Sequence, residues 1–263
     1  MESLVDIGAN LAHDSFDDDR DAVLRRAAAA GVSRIVVTGS SDDSNEKAAR
    51  LAQAHPGVLW ATAGVHPHHA SDYTADSDAL IRRLAAEGNI VAVGECGLDY
   101  FRNFSPRDAQ LAAFRSQLDI AAETGLPVFL HQRDAHDDFV EVLEPMLPKI
   151  SRAVAHCFTG EHESLREYLA MGLYIGVTGW ICDERRGTHL QEIVSVVPDD
   201  RIMIETDAPY LLPRTIRPKP PTRRNEPMYL PEVLRVVADA RGQSVEHVAA
   251  ITTRNAERFF GLA

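Results

Sequence analysis

The chain of 263 residues is poor in cysteine. Cys96, Cys157 and Cys182 are its only three cysteines, and no two of them form a Cys-x-x-Cys pair. A sparse, odd-numbered set argues against a disulfide framework and against a thiolate zinc site, and it predicts a reducing compartment. We therefore interpret Cys96 and Cys157 as small packing residues of the interior.

Long hydrophobic runs are missing as well. No apolar segment of the sequence reaches the length of a membrane-spanning helix. The first residues, Met1–Asp6, contain no basic region that leads into an apolar run, as a signal peptide would. The sequence thus predicts a cytoplasmic protein with no membrane partner.

Positive charge is scarce, with 27 Lys and Arg against 39 Asp and Glu and a net charge of -12. Because phosphate contacts need clustered cations, this balance argues against a broad nucleic-acid-binding face. It is compatible with a local basic rim around an acidic, metal-loaded pocket, since a bound divalent ion reverses the local field.

Three common functional motifs are also absent. No Gly-x-Gly-x-x-Gly turn follows the first apolar segment, no Walker-type phosphate loop occurs, and no Gly-x-Ser-x-Gly elbow presents a serine. These absences argue against a dinucleotide-binding sheet, a phosphate-loop enzyme and a serine hydrolase of that type.

The chain does contain eight short apolar segments that alternate with helical patterns, as expected for parallel strands covered on both faces. The predicted strands are Leu4–Ile7, Arg34–Thr38, Leu59–Ala63, Ile90–Gly94, Val128–Leu130, Ala153–Ala155, Leu173–Gly176 and Ile202–Glu205. The predicted helices are Asp19–Ala30, Asn45–Ala54, Asp76–Ala86, Asp108–Thr124, Phe139–Leu147, Glu163–Ala170, Leu190–Val196, Leu230–Ala240 and Ser244–Phe260. We predict an α/β fold, a (β/α)8 TIM barrel, as a single domain over residues 1–263. A doubly wound open sheet is the competing architecture.

Potential metal ligands follow several of these strands. They are Glu95, His131, His156 and Asp207, and His66 follows a further strand. The carboxyl ends of barrel strands meet at one mouth, so we expect these side chains to converge there. A mixed oxygen and nitrogen set suits Mg, Mn or Zn, which would support metal-assisted hydrolysis. We expect His66 to point inward, and His68 and His69 to be mostly solvated.

Basic and aromatic residues accompany the same strand ends. The candidate phosphate contacts are Arg102, Arg133, Arg185 and Arg224. Two interpretations are open for the interleaved aromatic residues, which either stack on bases of a single strand or pack the loops: Tyr100, Phe101, Phe104, Trp180 and Tyr210. Six prolines in Pro209–Pro227 exclude a regular helix and predict a long ordered loop over the barrel mouth.

Six motifs occur in order along the chain: Gly64-Val65-His66-Pro67, Gly94-Glu95-Cys96-Gly97-Leu98-Asp99, His131-x-Arg133, His156-Cys157-Phe158-Thr159-Gly160, Glu205-Thr206-Asp207-Ala208-Pro209-Tyr210 and Arg224-Asn225-Glu226-Pro227. Together they resemble the TatD family of metal-dependent deoxyribonucleases over essentially the whole chain. The resemblance implies a TIM barrel of the amidohydrolase-like superfamily. It also implies divalent-metal-dependent DNA hydrolysis, chiefly 3′–5′ exonuclease action on single-stranded or frayed DNA in repair or degradation.

The resemblance also implies roles for individual residues. It implies that Glu95, His131 and His156 are metal ligands, that Asp207 is a ligand or catalytic residue, and that His66 lies in the substrate pocket. We accordingly expect Asp207, Glu95 and His66 to be catalytic. Mg is the ion expected in function, with Mn or Zn as alternatives, and we expect a monomer or weak oligomer.

The first strand departs from the family pattern. Most of the family carry Asp-x-His-x-His there, whereas this chain has Asp6-Ile7-Gly8-Ala9-Asn10. Gly8 has no side-chain ligand, and we expect Asn10 to ligate only weakly or to contact substrate. The hypothesis is one well-held ion on Glu95, His131 and His156, with any second ion weak or recruited by substrate phosphate.

Two other functions are open on the sequence. One is metal-dependent hydrolysis of a non-DNA ester or amide, such as deacylation of aminoacyl-tRNA, because one fold supports many chemistries. The other is a non-catalytic nucleic-acid-binding barrel. The presence of Glu95, His131, His156 and Asp207 argues against the latter.

Overall fold

The computed structural model describes residues 3–262, so Met1, Glu2 and Ala263 of the predicted domain lie outside the described residues. The strands are β1 (Leu4–Ala9), β2 (Val32–Val37), β3 (Leu59–Ala63), β4 (Ala92–Asp99), β5 (Val128–Arg133), β6 (Ala153–Ala155), β7 (Tyr174–Val177) and β8 (Ile202–Ile204). The helices are α1 (Arg20–Ala29), α2 (Asp42–Ala54), α3 (Ala75–Ala86), α4 (Arg107–Thr124), α5 (His136–Leu143), α6 (His162–Ala170), α7 (Thr188–Ile193), α8 (Leu230–Arg241) and α9 (Val245–Phe260). The strands form one eight-stranded sheet in chain order, β1 to β8.

The chain divides into two compact units, each of which has many contacts between its own Cα atoms. Among the described residues, the first unit comprises 3–36, Cys157–Leu165 and 175–262, and the second comprises Val37–His156 and Arg166–Tyr174. In the second unit, β3, β4, β5 and β6 pair in parallel, with Phe129 of β5 opposite Val154 of β6. In the first unit, β7 pairs in parallel with β8. The single domain stays a prediction.

Every predicted strand is present, but β4 and β5 run three or more residues beyond their predicted ends. β4 continues through Glu95 to Asp99, and β5 continues through His131 to Arg133. Both residues therefore lie inside strands and not directly after them, which corrects the expected strand ends. The predicted strands stop where the apolar pattern stops, whereas the backbone pairing continues through polar residues.

Two glycines explain how β4 continues past its apolar segment. Gly94 and Gly97 have φ angles of 132° and 142°, a region that side chains of L residues rarely adopt. A Cβ atom at these positions would lie 2.1 Å from the carbonyl oxygen of Phe129 and 1.9 Å from that of His131. The register of β4 against β5 shifts between Val93 and Cys96. The glycines thus permit a bulge that holds Glu95 close beside β5.

The helices follow the predicted pattern, except that two of them end three or more residues before the predicted residue. In α4, Phe114 and Leu118 are buried, and Gly125 ends the helix in the left-handed conformation. The helix predicted over Phe139–Leu147 instead ends at Leu143, and a 3-10 segment follows over Glu144–Lys149. Pro145 and Pro148 cause this change, because proline has no amide proton for the α-helical hydrogen bond.

The second difference concerns α7. The helix predicted over Leu190–Val196 begins earlier and ends at Ile193, and a short 3-10 segment, Val194–Val196, continues it.

The sequence also predicts no membrane-spanning segment. Across residues 3–262, no helix combines the length and the apolar character needed to cross a membrane.

Candidate active site

In the second unit, three imidazoles converge on one carboxylate oxygen, Oε1 of Glu95. The distances to this atom are 2.7 Å from Nε2 of His156, 3.1 Å from Nδ1 of His131 and 3.3 Å from Nε2 of His66. Glu95 and His156 are buried, and the His66 and His131 side chains are 12% and 17% exposed. We call these four residues the imidazole cluster. Ligand atoms of His66, Glu95 and His131 all lie within 4.8 Å of one another, an arrangement that could hold a metal ion.

The local fold turns His66 towards Glu95. His66 follows β3 and caps the 3-10 segment Pro67–Asp72, where its Nδ1 atom accepts a hydrogen bond from the backbone N–H of His68. A neutral imidazole that accepts at Nδ1 carries its proton on Nε2. His66 therefore presents an N–H donor to the cluster, which fits the expectation that it points inward.

Asp99 orients the second imidazole, His131, from the opposite side. It accepts hydrogen bonds from Nε2 of His131 at 3.1 Å, from Nε2 of His68 at 3.0 Å and from the backbone N–H of Arg102 at 2.7 Å. With its Nε2 atom engaged, His131 directs Nδ1 towards Glu95. A carboxylate behind an imidazole in this way is the usual outer support of a histidine metal ligand.

His68 corrects one expectation. It was expected to be mostly solvated, but its side chain is only 28% exposed, because it bonds Asp99 and packs against the rings of His66 and Phe104 at 4.2 and 4.8 Å. His69 is 53% exposed, as expected. Sequence reasoning missed Asp99 and His68 as members of the site. The one available signal was the position of Asp99 four residues after Glu95 in the same motif.

The electrostatics of the imidazole cluster keep Glu95 charged. Burial alone would raise its pKa, but the charge of His156 and the hydrogen bonds from His131 and His156 hold the pKa well below its usual range. Burial lowers the pKa of His66 to about 4, so this imidazole is neutral near neutral pH. Burial also acts to lower the pKa of His131, but hydrogen bonds to Asp99 and Glu95 outweigh it and raise the pKa.

In the first unit, Asp6 of β1 is fully buried and holds the chain that leaves β8. Its two carboxylate oxygens accept hydrogen bonds from the backbone N–H of Thr206 at 2.9 Å and from the Thr206 hydroxyl at 2.5 Å. Burial raises the pKa of Asp6 to about 7, although these hydrogen bonds act to lower it. The buried carboxyl thus fixes the residue directly before Asp207.

Asn10 and Asp207 also come together in the first unit. The Asn10 side-chain N–H donates to Oδ1 of Asp207 at 3.0 Å, and the Asp207 backbone N–H donates to the carbonyl of Gly8 at 2.8 Å. Asp207 has a φ angle of 54°, in the left-handed region that non-glycine residues rarely occupy. The two positions where β1 departs from the family pattern, Gly8 and Asn10, therefore both bind Asp207. We call Asp6, Thr206, Asn10 and Asp207 the aspartate network.

The candidate phosphate contacts divide between the units. In the second unit, the guanidinium carbons of Arg133 and Arg102 lie 3.8 and 5.6 Å from the ring centroid of Phe101, which is 52% exposed. In the first unit, Arg185 is 60% exposed and contacts Asp183.

Arg224, also in the first unit, differs from the other three arginines. It donates four hydrogen bonds, two of them to Asp19 at 2.8 Å, one to Glu226 and one to the carbonyl of Ser15. These hydrogen bonds hold the loop segment that carries Arg224 against Ser15 and Asp19, and they use both terminal nitrogens of the guanidinium group.

The chain is similar to known proteins over its full length. Residues 5–261 match the family described as TatD related DNase. A protein of Erwinia tasmaniensis named 3′-5′ ssDNA/RNA exonuclease TatD is 52% identical over 259 residues, which cover 98% of this chain and 100% of that protein. A similar identity, 52% over 259 residues, is found with the protein of the same name from Erwinia amylovora.

Solved structures agree with this result. The crystal structure of a TatD homologue from Escherichia coli K12 has a TM-score of 0.90 at 26% identity and covers 99% of both chains. These comparisons confirm the predicted (β/α)8 barrel fold. Together with the clustered histidine and glutamate side chains, they indicate a divalent metal site.

Proposed function

The chain belongs to the TatD-related DNase family, and on this basis we propose that it is a divalent-metal-dependent 3′–5′ exonuclease acting on single-stranded or frayed DNA. The observation that carries the proposal is the imidazole cluster, in which three imidazole nitrogens lie within 3.3 Å of one Glu95 oxygen. The names of the Erwinia relatives support the substrate class and the polarity, and they add single-stranded RNA as a substrate.

The donor set of the imidazole cluster fits a divalent ion. A buried, charged carboxylate and imidazole nitrogens suit Mn²⁺ and Zn²⁺, and the carboxylate also suits Mg²⁺. We assign Glu95, His131 and His156 as the residues that hold the ion, with Asp207 as a further ligand or as the proton acceptor. When bound, such an ion polarises a phosphoryl oxygen and lowers the pKa of water.

The residues of the chain perform the other tasks. His66 offers the Nε2 proton as a donor to a phosphate oxygen, because its Nδ1 atom already accepts a hydrogen bond. Asn10 holds the Asp207 carboxylate in place, so that it can accept a proton from the attacking water. Arg102 and Arg133 present guanidinium groups on an exposed aromatic ring, and Arg185 adds a third, for contacts to phosphate oxygens.

We propose Mg²⁺ as the ion in function, a single domain, and a cytoplasmic monomer or weak oligomer with a role in DNA repair or degradation. The departure of β1 from the family pattern supports one well-held ion, because Gly8 has no ligand and Asn10 already donates to Asp207. Any second ion is then weak or is recruited by the substrate phosphate.

A time course on 5′-labelled single-stranded DNA with Mg²⁺, Mn²⁺, Zn²⁺ or chelator tests this function. We expect a ladder of labelled strands that shorten from the 3′ end with metal, and no products in chelator. Immediate release of the label as a mononucleotide would contradict the polarity. Hydrolysis of a panel of small esters without any DNA product would favour the alternative ester or amide hydrolase.

A further inference from the structure

The first unit contains a basic cavity from which the proposed chemistry uses only Arg185. The cavity has a volume of about 750 Å³ and lies between the segment after β7 and the proline-rich loop. Its lining begins at Gly179 and includes the loop from Leu211, four residues after Asp207, to Arg223. We call it the loop cavity.

The charge of the loop cavity is opposite to that of the whole chain. Its cationic lining residues are Arg185, Arg186, Arg214, Arg217, Lys219 and Arg223. Its acidic lining residues are Asp183 and Glu184. Six cations and two anions leave an excess of four positive charges on a chain whose net charge is -12. A cavity of this sign on an acidic protein favours an anionic ligand.

Several of these cations are held in place by the fold. The buried Asp183 carboxylate binds Arg186 at 3.0 Å and contacts Arg185 at 3.4 Å, and the Arg186 guanidinium lies 4.4 Å from the ring centroid of Trp180. Glu184 accepts two hydrogen bonds from Arg214. These contacts order the wall of the loop cavity, and the two carboxylates neutralise part of its positive charge.

Lys219 and Arg223 supply charge that remains available. Both are exposed, and across residues 3–262 neither of them forms an ion pair with a carboxylate. Between them lie Pro220 and Pro221, which restrict the backbone that carries the two cations. Two unpaired cations at a spacing of four residues on a restricted loop form a site for the phosphates of an extended chain.

Resting on the proposed exonuclease function, we propose that the loop cavity binds the phosphodiester backbone of the single strand beyond the nucleotide being removed, with Lys219 and Arg223 as the principal phosphate contacts. This contact holds the remaining strand between cleavage events. The contact is independent of base sequence, since it is made to phosphates and not to base edges.

The test measures binding of a labelled single strand of about 12 nucleotides in chelator, where no cleavage competes with binding. The variant is the double substitution Lys219→Ala and Arg223→Ala. If each cation contacts one phosphate, the affinity falls by about 25-fold at about 0.1 M salt, and the slope of log affinity against log salt falls by about 1.4. The matched control is Arg25→Ala with Lys47→Ala, which removes the same charge from two exposed helix positions outside the lining.

Two further results complete this test. The variant Lys219→Arg with Arg223→Lys keeps both charges and should bind as the wild type does, whereas a loss there would show that the loop itself is damaged and would overturn the assignment. Cleavage of a dinucleotide should be unchanged in the double-alanine variant, because a dinucleotide has no remaining strand to hold.

The inference and the proposed function fail in different ways. Equal affinity of the double-alanine variant and the matched control overturns the inference, even when the wild-type protein cleaves DNA. A wild-type protein that binds the strand through Lys219 and Arg223 but cleaves nothing with any metal overturns the proposed function and supports the cavity as a binding site.

Discussion

The imidazole cluster and the aspartate network use buried carboxylates inside strands in opposite ways. In the second unit, nitrogen atoms surround the Glu95 carboxylate, and their charges and hydrogen bonds keep its pKa low despite burial. In the first unit, Asp6 is also buried, its hydrogen-bond donors include Thr206 and, among residues 3–262, no imidazole, and burial raises its pKa to about 7. The comparison shows that the neighbours of a buried carboxylate, and not its burial alone, decide whether it is suited to hold a metal or to fix the backbone.

The largest effect should come from removing the shared carboxylate of the imidazole cluster. For Glu95→Ala we expect nuclease activity to fall by about a thousandfold or more, equivalent to about 4 kcal/mol, because the ion loses its central oxygen ligand. Initial rates on labelled single-stranded DNA measure the loss, and circular dichroism checks the fold. Glu163→Ala, at an exposed position of α6, is the matched control. Activity retained in purified Glu95→Ala would remove Glu95 from the site.

A smaller loss should follow from removing the support behind His131. In Asp99→Asn, the His131 imidazole no longer donates to a charged acceptor, so its Nδ1 atom is less well oriented and less basic. We expect the affinity for Mn²⁺ to fall by about 10- to 100-fold, as measured by calorimetry. Asp72→Asn, at a position that is 85% exposed, is the control. Equal affinities in the two variants would show that Asp99 does not support a metal ligand.

The aspartate network should respond differently to substitution. Asn10→Ala removes the hydrogen bond to Asp207, and a hydrogen bond to a charged group accounts for about a tenfold change in kcat. We expect the Mn²⁺ affinity to stay at the wild-type value, because the ligands that we propose for the ion, Glu95, His131 and His156, are unchanged. A fall in Mn²⁺ affinity as large as the fall in kcat would place Asn10 and Asp207 among the ligands of the well-held ion and would break the comparison.

The effect expected for Asp6 concerns stability alone and not activity or metal binding. The folded pKa of Asp6 is about 7, above its usual value of 3.8, so between these values the folded protein binds more protons than the unfolded chain. The free energy of unfolding therefore decreases as the pH rises through this window, by about 4 kcal/mol at most. The difference in free energy of unfolding between Asp6→Asn and wild type, measured by urea denaturation in chelator, should shift in favour of the variant from pH 4 to pH 7. A difference that does not change with pH would show that Asp6 has an ordinary pKa.

The sequence was sufficient for the barrel architecture, because each of the eight strands contains a short apolar run and these runs alternate with helical patterns. It was less reliable at strand ends. The apolar pattern ends at Gly94, but the pairing of β4 continues to Asp99 because two glycines allow a close approach to β5. The effect of such glycines depends on the neighbouring strand, which sequence periodicity does not report.

The site shows the same limit. The convergence of Glu95, His131 and His156 follows from the topology of parallel strands and could be predicted. The partial burial of His68 could not be predicted in this way, because it depends on a hydrogen bond to Asp99 and on packing against Phe104. In the same way, Arg224 is one of several arginines in the sequence, and only the structure shows its four hydrogen bonds to Asp19, Glu226 and Ser15.

Anomalous diffraction from crystals grown with Mn²⁺ tests the central claim most directly, because it locates the ion without relying on activity. We predict one strong anomalous peak in contact with Glu95, His131 and His156. A structure with no peak among these residues, or with a second peak of equal strength beside Asn10, would contradict the account of a single well-held ion.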